Sequence, residues 1–170
     1  MSRPNEHREN GKLSSFCQEF GLEEEDLGHV VHLGRRCFLL DGSNRDLLEI
    51  QKKLKEKKTD IFGLGVYLGE EKQRFEPSPA CLELIAAKTQ EHKAVVDAKA
   101  EWLFLCGRDL FDKAVVESGE PTASGYLLIQ NTRDENLGYG LVPSARRKAK
   151  NIAIKNLLDR GFFLRRERLA

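Results

Sequence analysis

A chain of 170 residues, 40% hydrophobic and 32% charged with a formal net charge of +1, has room for one medium domain or two small ones under a heavily charged surface. No apolar run approaches the roughly 20 residues that cross a membrane as a helix, and the polar start MSRPNEHRENGK does not read as a secretory signal. Four cysteines (Cys17, Cys37, Cys81 and Cys106) lie far apart inside apolar segments with no CxxC pair, the pattern of reduced core thiols, so a cytoplasmic protein is expected.

In chain order, Ser15-x-x-Gln18 predicts a capping box, with Phe16, Cys17 and Phe20 on one helical face and Gly21 as the stop. Val30-Val31 and Arg36 to Leu40 read as strands, and Asp41-Gly42 as a turn. From Asn44 a helix is expected, carrying Leu47, Ile50 and Leu54 inward and a lysine-rich C-terminal half. Ile61 to Leu68 reads as a glycine-softened strand. Ser78-Pro79 then starts a helix, with Ser as N-cap and Pro at the first position. The polar stretch Lys88 to Lys93 places a domain boundary at 92/93.

Beyond that boundary short strands dominate. Ala94 to Ala98 is one. KAEWLFLCGRDLF (Lys99 to Phe111) follows as a short buried helix whose apolar run, Trp102 to Cys106, stops at a Gly107 cap. Ala114 to Val116, Tyr126 to Gln130, Leu137 to Val142, Ile152 to Leu158 and Phe162 to Arg165 read as strands, the last two joined by the tight turn Asp159-Arg160-Gly161. Such short strands with one helix predict a small closed β-barrel.

Few residues point to catalysis. Gly63-x-Gly65-x-x-x-Gly69 lacks the dinucleotide-binding spacing and the helix that must follow it, so it reads as a twisted, closely packed strand. His29-Val-Val-His32 would project its rings to opposite faces of a strand, and no Cys or acidic residue stands at a sequence spacing that completes a metal site. There is neither a G-x-S-x-G elbow nor a cysteine in an electropositive setting.

Charge is more informative. Residues 1–92 carry a net −3 and residues 93–170 a net +4. Within the last 25 residues Arg146, Arg147, Lys148, Lys150, Lys155, Arg160, Arg165, Arg166 and Arg168 face only Asp159 and Glu167. These cations are interleaved with Ile, Leu and Phe, so they belong to folded structure. Arginine forks suit phosphate, and a folded basic stripe is the electrostatic footprint of nucleic-acid binding. The run Arg146 to Lys150 reads as a phosphate-steering loop.

The succession KAEWLFLCGRDLF, SGYLLIQN, NLGYGLV and IAIKNLLDRGFFLRRE resembles a PUA domain, a small RNA-binding pseudobarrel, over about Lys93 to Glu167. With FEPSPACLELIAAK just before it, the chain looks like the Nip-seven family of large-subunit ribosome biogenesis factors, archaeal type. The resemblance implies an α+β protein: a small N-terminal α/β domain with an antiparallel sheet (1–92), followed by a C-terminal PUA β-pseudobarrel (93–170). It implies RNA binding without catalysis or cofactor, a pre-ribosomal RNA ligand, and ribosome-assembly or RNA-processing protein partners on the N-terminal domain. Carried over by motif, RNA would lie against Gly107 and Arg108, then Lys113, then Lys155, Arg160, Arg165 and Arg166. Gly107 would let a ribose-phosphate approach its backbone amide. The structural alternatives to RNA contact are a pair of Asp159 with Arg160 across the turn, and core positions, the commoner outcome, for Phe162, Phe163, Tyr126 and Tyr139. The competing expectations are an RNA-modifying enzyme that uses the PUA domain for substrate delivery, and an adaptor working through its acidic first half.

Overall fold

The computed structural model describes residues 11–40, 53, 63–143 and 152–166. The helix expected from Asn44, the Asp41-Gly42 turn and the cations Arg146, Arg147, Lys148, Lys150 and Arg168 lie outside the described residues, as does the side chain of Arg166.

Two compact units divide at Glu76/Pro77. The first opens with α1 (Lys12–Glu19), capped by Gly11 where Ser15 had been expected. The helix ends as foreseen at Gly21, whose φ is +71°. A 3-10 turn (Glu24–Leu27) leads to β1 (His29–Leu33) and β2 (Arg36–Leu40), an antiparallel hairpin in which His32 faces Cys37. β3 (Val66–Glu71) and β4 (Phe75–Pro77) complete a four-stranded sheet in chain order. Gly65, at φ +78°, precedes β3, and any Cβ there would strike the Leu39 carbonyl. That close approach is what the glycine run provides. Leu13, Phe16, Phe20, Leu27, Phe38, Leu40, Leu68 and Phe75 are buried, with Phe16 in ring contact with Phe20 (5.3 Å) and Phe75 (5.4 Å).

The second unit begins with α2 (Pro79–Lys88), where Ser78 Oγ accepts the Cys81 N–H and Pro79 stands in the first turn, as predicted. This helix buries Cys81, Leu82, Ile85 and Ala86 and packs on the strand named β9 below, so compactness divides the chain sixteen residues before the 92/93 boundary. β5 (Lys93–Val96) runs into α3 (Ala98–Leu105), whose N-cap Asp97 accepts the Ala100 N–H. Then come β6 (Leu110–Phe111), a 3-10 turn (Asp112–Ala114), β7 (Val115–Ser118), β8 (Tyr126–Asn131), β9 (Asn136–Leu141), β10 (Ile152–Asp159) and α4 (Phe162–Arg166).

Six strands order as β6-β10-β9-β8-β5-β7, antiparallel except for the β5–β8 pair. Register shifts interrupt four of these pairings, bending the sheet into a near-barrel. Ala94, Val96, Leu110, Leu127, Ile129, Leu137 and Ile154 fill its interior, and α3 plugs it with Ala100 and Phe104.

One expected strand is a helix. Phe162–Arg166 forms α4, begun by the Gly161 turn and closed by Arg165 N–H donating to Gly161 O. Too few residues stand there for periodicity to choose. The helical turn brings Arg165 back to Asp159, a tie that an extended chain would not make.

Candidate nucleic-acid interface

Gly107 caps α3 in the left-handed region (φ +81°). Its N–H donates to Phe104 O and the Arg108 N–H to Leu103 O, a helix-ending pair that consumes both donors. The Gly107 amide proton is thus engaged at the end of the helix. The missing Cβ serves a different neighbour: an added Cβ would lie 3.0 Å from Arg165 Nη2.

Arg165 is part of the frame. Its Nη1 and Nη2 donate to Asp159 Oδ1 and Oδ2, both at 2.7 Å, and Nη1 also donates to Leu105 O. Asp159 is 2% exposed, and the hydrogen bonds to it hold the guanidinium more firmly protonated still. Asp159 pairs with Arg165, where the sequence had suggested Arg160. Asn156 joins the same knot: its Nδ2 donates to Phe104 O (2.9 Å) and Asp159 Oδ2 (3.2 Å), while its N–H donates to Asp109 Oδ1 (2.9 Å). Arg160 instead forms a half-exposed ion pair with Glu83 at 3.5 Å, a contact of little energetic weight that an anion displaces at small cost.

Arg108, Lys113 and Lys155 are exposed, and none forms an ion pair among the described residues. Strand pairing brings them together. Ile154 sits opposite Leu110 and Ile152 opposite Phe111, so Lys155 on β10 borders the Arg108-Asp109 end of β6, and Lys113 follows in the adjoining turn. The β6–β10 edge and its adjoining turns thus carry Arg108, Lys113 and Lys155, with Asp109 and the exposed Asp112 among them.

The same unit also carries exposed aromatic rings. Trp102 is 65% exposed, Phe111 50% and Phe163 58%. The first and last were expected in the core, as was Cys106, which is exposed. The signal that would have found Trp102 lies in helical phase. Ala100 and Phe104, four apart, are buried and define the inner face. At about 100° per residue Trp102 points the opposite way, sharing its face with Lys99 and Cys106. Tyr126 and Tyr139 stand half-buried in mutual ring contact (5.7 Å).

A separate cleft of about 560 Å3 lies between the end of α2 and β5–β7. Lys93 is the cation in its lining, against Glu117 and Asp134. That balance does not suit a polyanion.

Comparison with known proteins agrees with this architecture. Residues 92–168 match the family described as the UPF0113 PUA domain. A UPF0113 protein of Archaeoglobus fulgidus is 30% identical over 111 residues, 61% of this chain and 62% of that protein, so the match spans less than two thirds of that relative. The structure of a conserved PUA domain protein from Thermoplasma acidophilum superposes with a TM-score of 0.55 at 14% identity, covering 92% of this chain and 91% of that one. A hypothetical protein from Pyrococcus horikoshii aligns at a TM-score of 0.43 and 15% identity over 77% of this chain and 93% of its own. The family match and the shared fold make this an α+β chain whose C-terminal unit is a PUA pseudobarrel.

Proposed function

We propose that this chain binds RNA through the β6–β10 edge of its pseudobarrel and serves as a non-catalytic ribosome-assembly factor, with pre-ribosomal RNA as ligand and protein partners on the residues before 93. A PUA domain carries RNA-binding potential. The observation that carries the reading is that Arg108, Lys113 and Lys155 are exposed on this edge, which also carries the exposed ring of Phe111. Cations neutralise phosphates, and aromatic faces stack on unpaired bases. A structured or single-stranded RNA suits this surface better than a regular duplex, whose bases offer no free face. Gly107 and Arg165 contribute by shaping the edge, and Arg160 is available once Glu83 releases it.

The test is a salt titration of binding to a single-stranded RNA with the parent and with Arg108→Ala/Lys113→Ala/Lys155→Ala. Removing three phosphate contacts should lower the slope of log K against log salt by about 2, at roughly 0.7 per contact. Unfolding curves should coincide, because none of the three side chains is buried. An unchanged affinity and salt slope would remove this edge from the interface.

A further inference from the structure

Three side chains in the first unit form a cluster that RNA binding does not use. His32 of β1, Cys37 of β2 and Glu71 of β3 present a ring nitrogen, a thiol sulfur and a carboxylate oxygen that all lie within 4.8 Å of one another. Sequence spacing conceals this, since the residues are 5 and 34 positions apart. The sheet assembles it: His32 is the cross-strand partner of Cys37, Cys37 is the partner of Gly69, and Glu71 lies two residues beyond on the same face. The sequence reading considered only spacing along the chain, and the fold brings a Cys and a Glu beside His32.

We propose that His32 Nδ1, Cys37 Sγ and a Glu71 carboxylate oxygen bind a divalent transition-metal ion of the zinc type, leaving a fourth position for water or another donor.

Four observations support it. Cys37 Sγ lies 3.5 Å from His32 Nδ1. A tetrahedral zinc with bonds of about 2.3 Å to sulfur and about 2.0 Å to nitrogen separates those two ligands by roughly 3.5 Å. The ring is also turned correctly. His32 Nε2 lies 3.0 Å from Glu24 Oε1, and a carboxylate there accepts N–H, so the proton resides on Nε2 and the Nδ1 lone pair faces the sulfur. A histidine ligand oriented by a carboxylate on its other nitrogen is the usual support of a metal site. Glu71 is likewise held, its Oε1 accepting the Leu13 N–H at 3.2 Å, with no hydrogen bond to Oε2 among the described residues. Finally, the site has a wall and a door. Cys37 is fully buried, whereas His32 and Glu24 are each 21% exposed, so an ion enters past the imidazole.

A sulfur, nitrogen and oxygen donor set suits zinc or cobalt and not calcium or magnesium, which take oxygen shells. Without metal, burial and then the neighbouring Glu71 and Glu24 push the Cys37 thiol up to about 12, so the sulfur is protonated and donates S–H to Nδ1. Binding replaces that proton: the S–H bond breaks, a sulfur–metal bond forms, and one proton leaves to solvent.

The test uses the full chain, stripped with chelator under a non-thiol reductant and titrated with cobalt(II). One equivalent should bind with thiolate-to-cobalt absorption and four-coordinate visible bands, and zinc should displace it. Cys37→Ser should abolish the thiolate band. Glu24→Gln, which keeps all three ligands, should weaken binding by about 10- to 100-fold. Absence of the band in the parent overturns the proposal, a reading that does not depend on the Cys37 variant folding. So does a band that survives Cys37→Ser but vanishes in Cys106→Ser, since Cys106 is the exposed thiol.

Discussion

Arg165 reaches back six residues to grip Asp159 with both arms of its guanidinium, and in doing so lays itself against the Cβ-less face of Gly107. The last helix, the last strand and the end of α3 meet at this point. An arginine that reads as a phosphate ligand is thus occupied in holding a buried carboxylate. Arg165→Ala should destabilise the protein by about 2–3 kcal/mol, somewhat below the 3–5 typical of a broken buried pair, because Arg165 is itself 36% exposed. Urea unfolding measures this. Compared as folded proteins, the variant and parent should bind RNA with similar salt slopes; a slope reduced by a full contact with stability unchanged would return Arg165 to the ligands.

Gly107→Ala should be costly for two reasons. Its φ of +81° strains any side chain, and the new Cβ would press on the Arg165 guanidinium at 3.0 Å. A loss of about 1–2 kcal/mol is expected from the left-handed backbone alone. Combining it with Arg165→Ala should cost less than the sum of the two, because the clash partner has gone. Strict additivity in the double-mutant cycle would sever the link drawn here.

Trp102 is the chain's single tryptophan, so its fluorescence reports one location. Single-stranded RNA should quench it if a base stacks on the exposed ring. Trp102→Ala should leave the unfolding midpoint within about 0.5 kcal/mol of the parent, as for other exposed substitutions. It should weaken RNA binding by about 1–3 kcal/mol, the range for one stacked base. Unaltered emission at saturating RNA argues that the aromatic face lies outside the footprint.

In the β8–β9 turn, Glu135 accepts hydrogen bonds from Asn131 Nδ2 and Arg133 Nη2 (2.6 and 2.8 Å), which hold its carboxyl below the ordinary glutamate range. Because the folded value lies below the unfolded one, this group stabilises the fold above its unfolded value. Its contribution fades as pH falls through the folded value. Carboxyl-carbon NMR titration should show the depression, and Asn131→Ala should move Glu135 upward. A Glu135 that titrates at the ordinary value in the parent would contradict the observed bonds.

Ser78 caps α2 from a largely buried position. Ser78→Ala should cost about 1 kcal/mol, within the usual range for a lost N-cap. Chemical denaturation reads the change, and Ser78→Asp should restore most of it.

Local chemistry was legible wherever a residue constrains its own neighbourhood. Pro79 after Ser78, Gly107 after an apolar helical run, and the short continuous apolar run from Tyr126 to Ile129 each specified their element without reference to the rest of the chain. The ordered series of such elements carried the α+β fold and its barrel. Charge asymmetry pointed to the C-terminal half because net charge sums over residues irrespective of their placement.

What only the tertiary structure decided is which side chains are free. Arg108, Lys155 and Arg165 are alike in sequence as cations near apolar residues, yet strand pairing leaves two exposed while a helical turn commits the third to Asp159. Trp102 turned outward because Ala100 and Phe104 fill the barrel's interior. His32, Cys37 and Glu71 came together because adjacent strands juxtapose residues by register, and register depends on pairing and not on sequence distance. Propensity acts within a few residues of itself. The partners of a buried charge or a candidate metal ligand are set by long-range pairing, so both candidate sites had to await the fold.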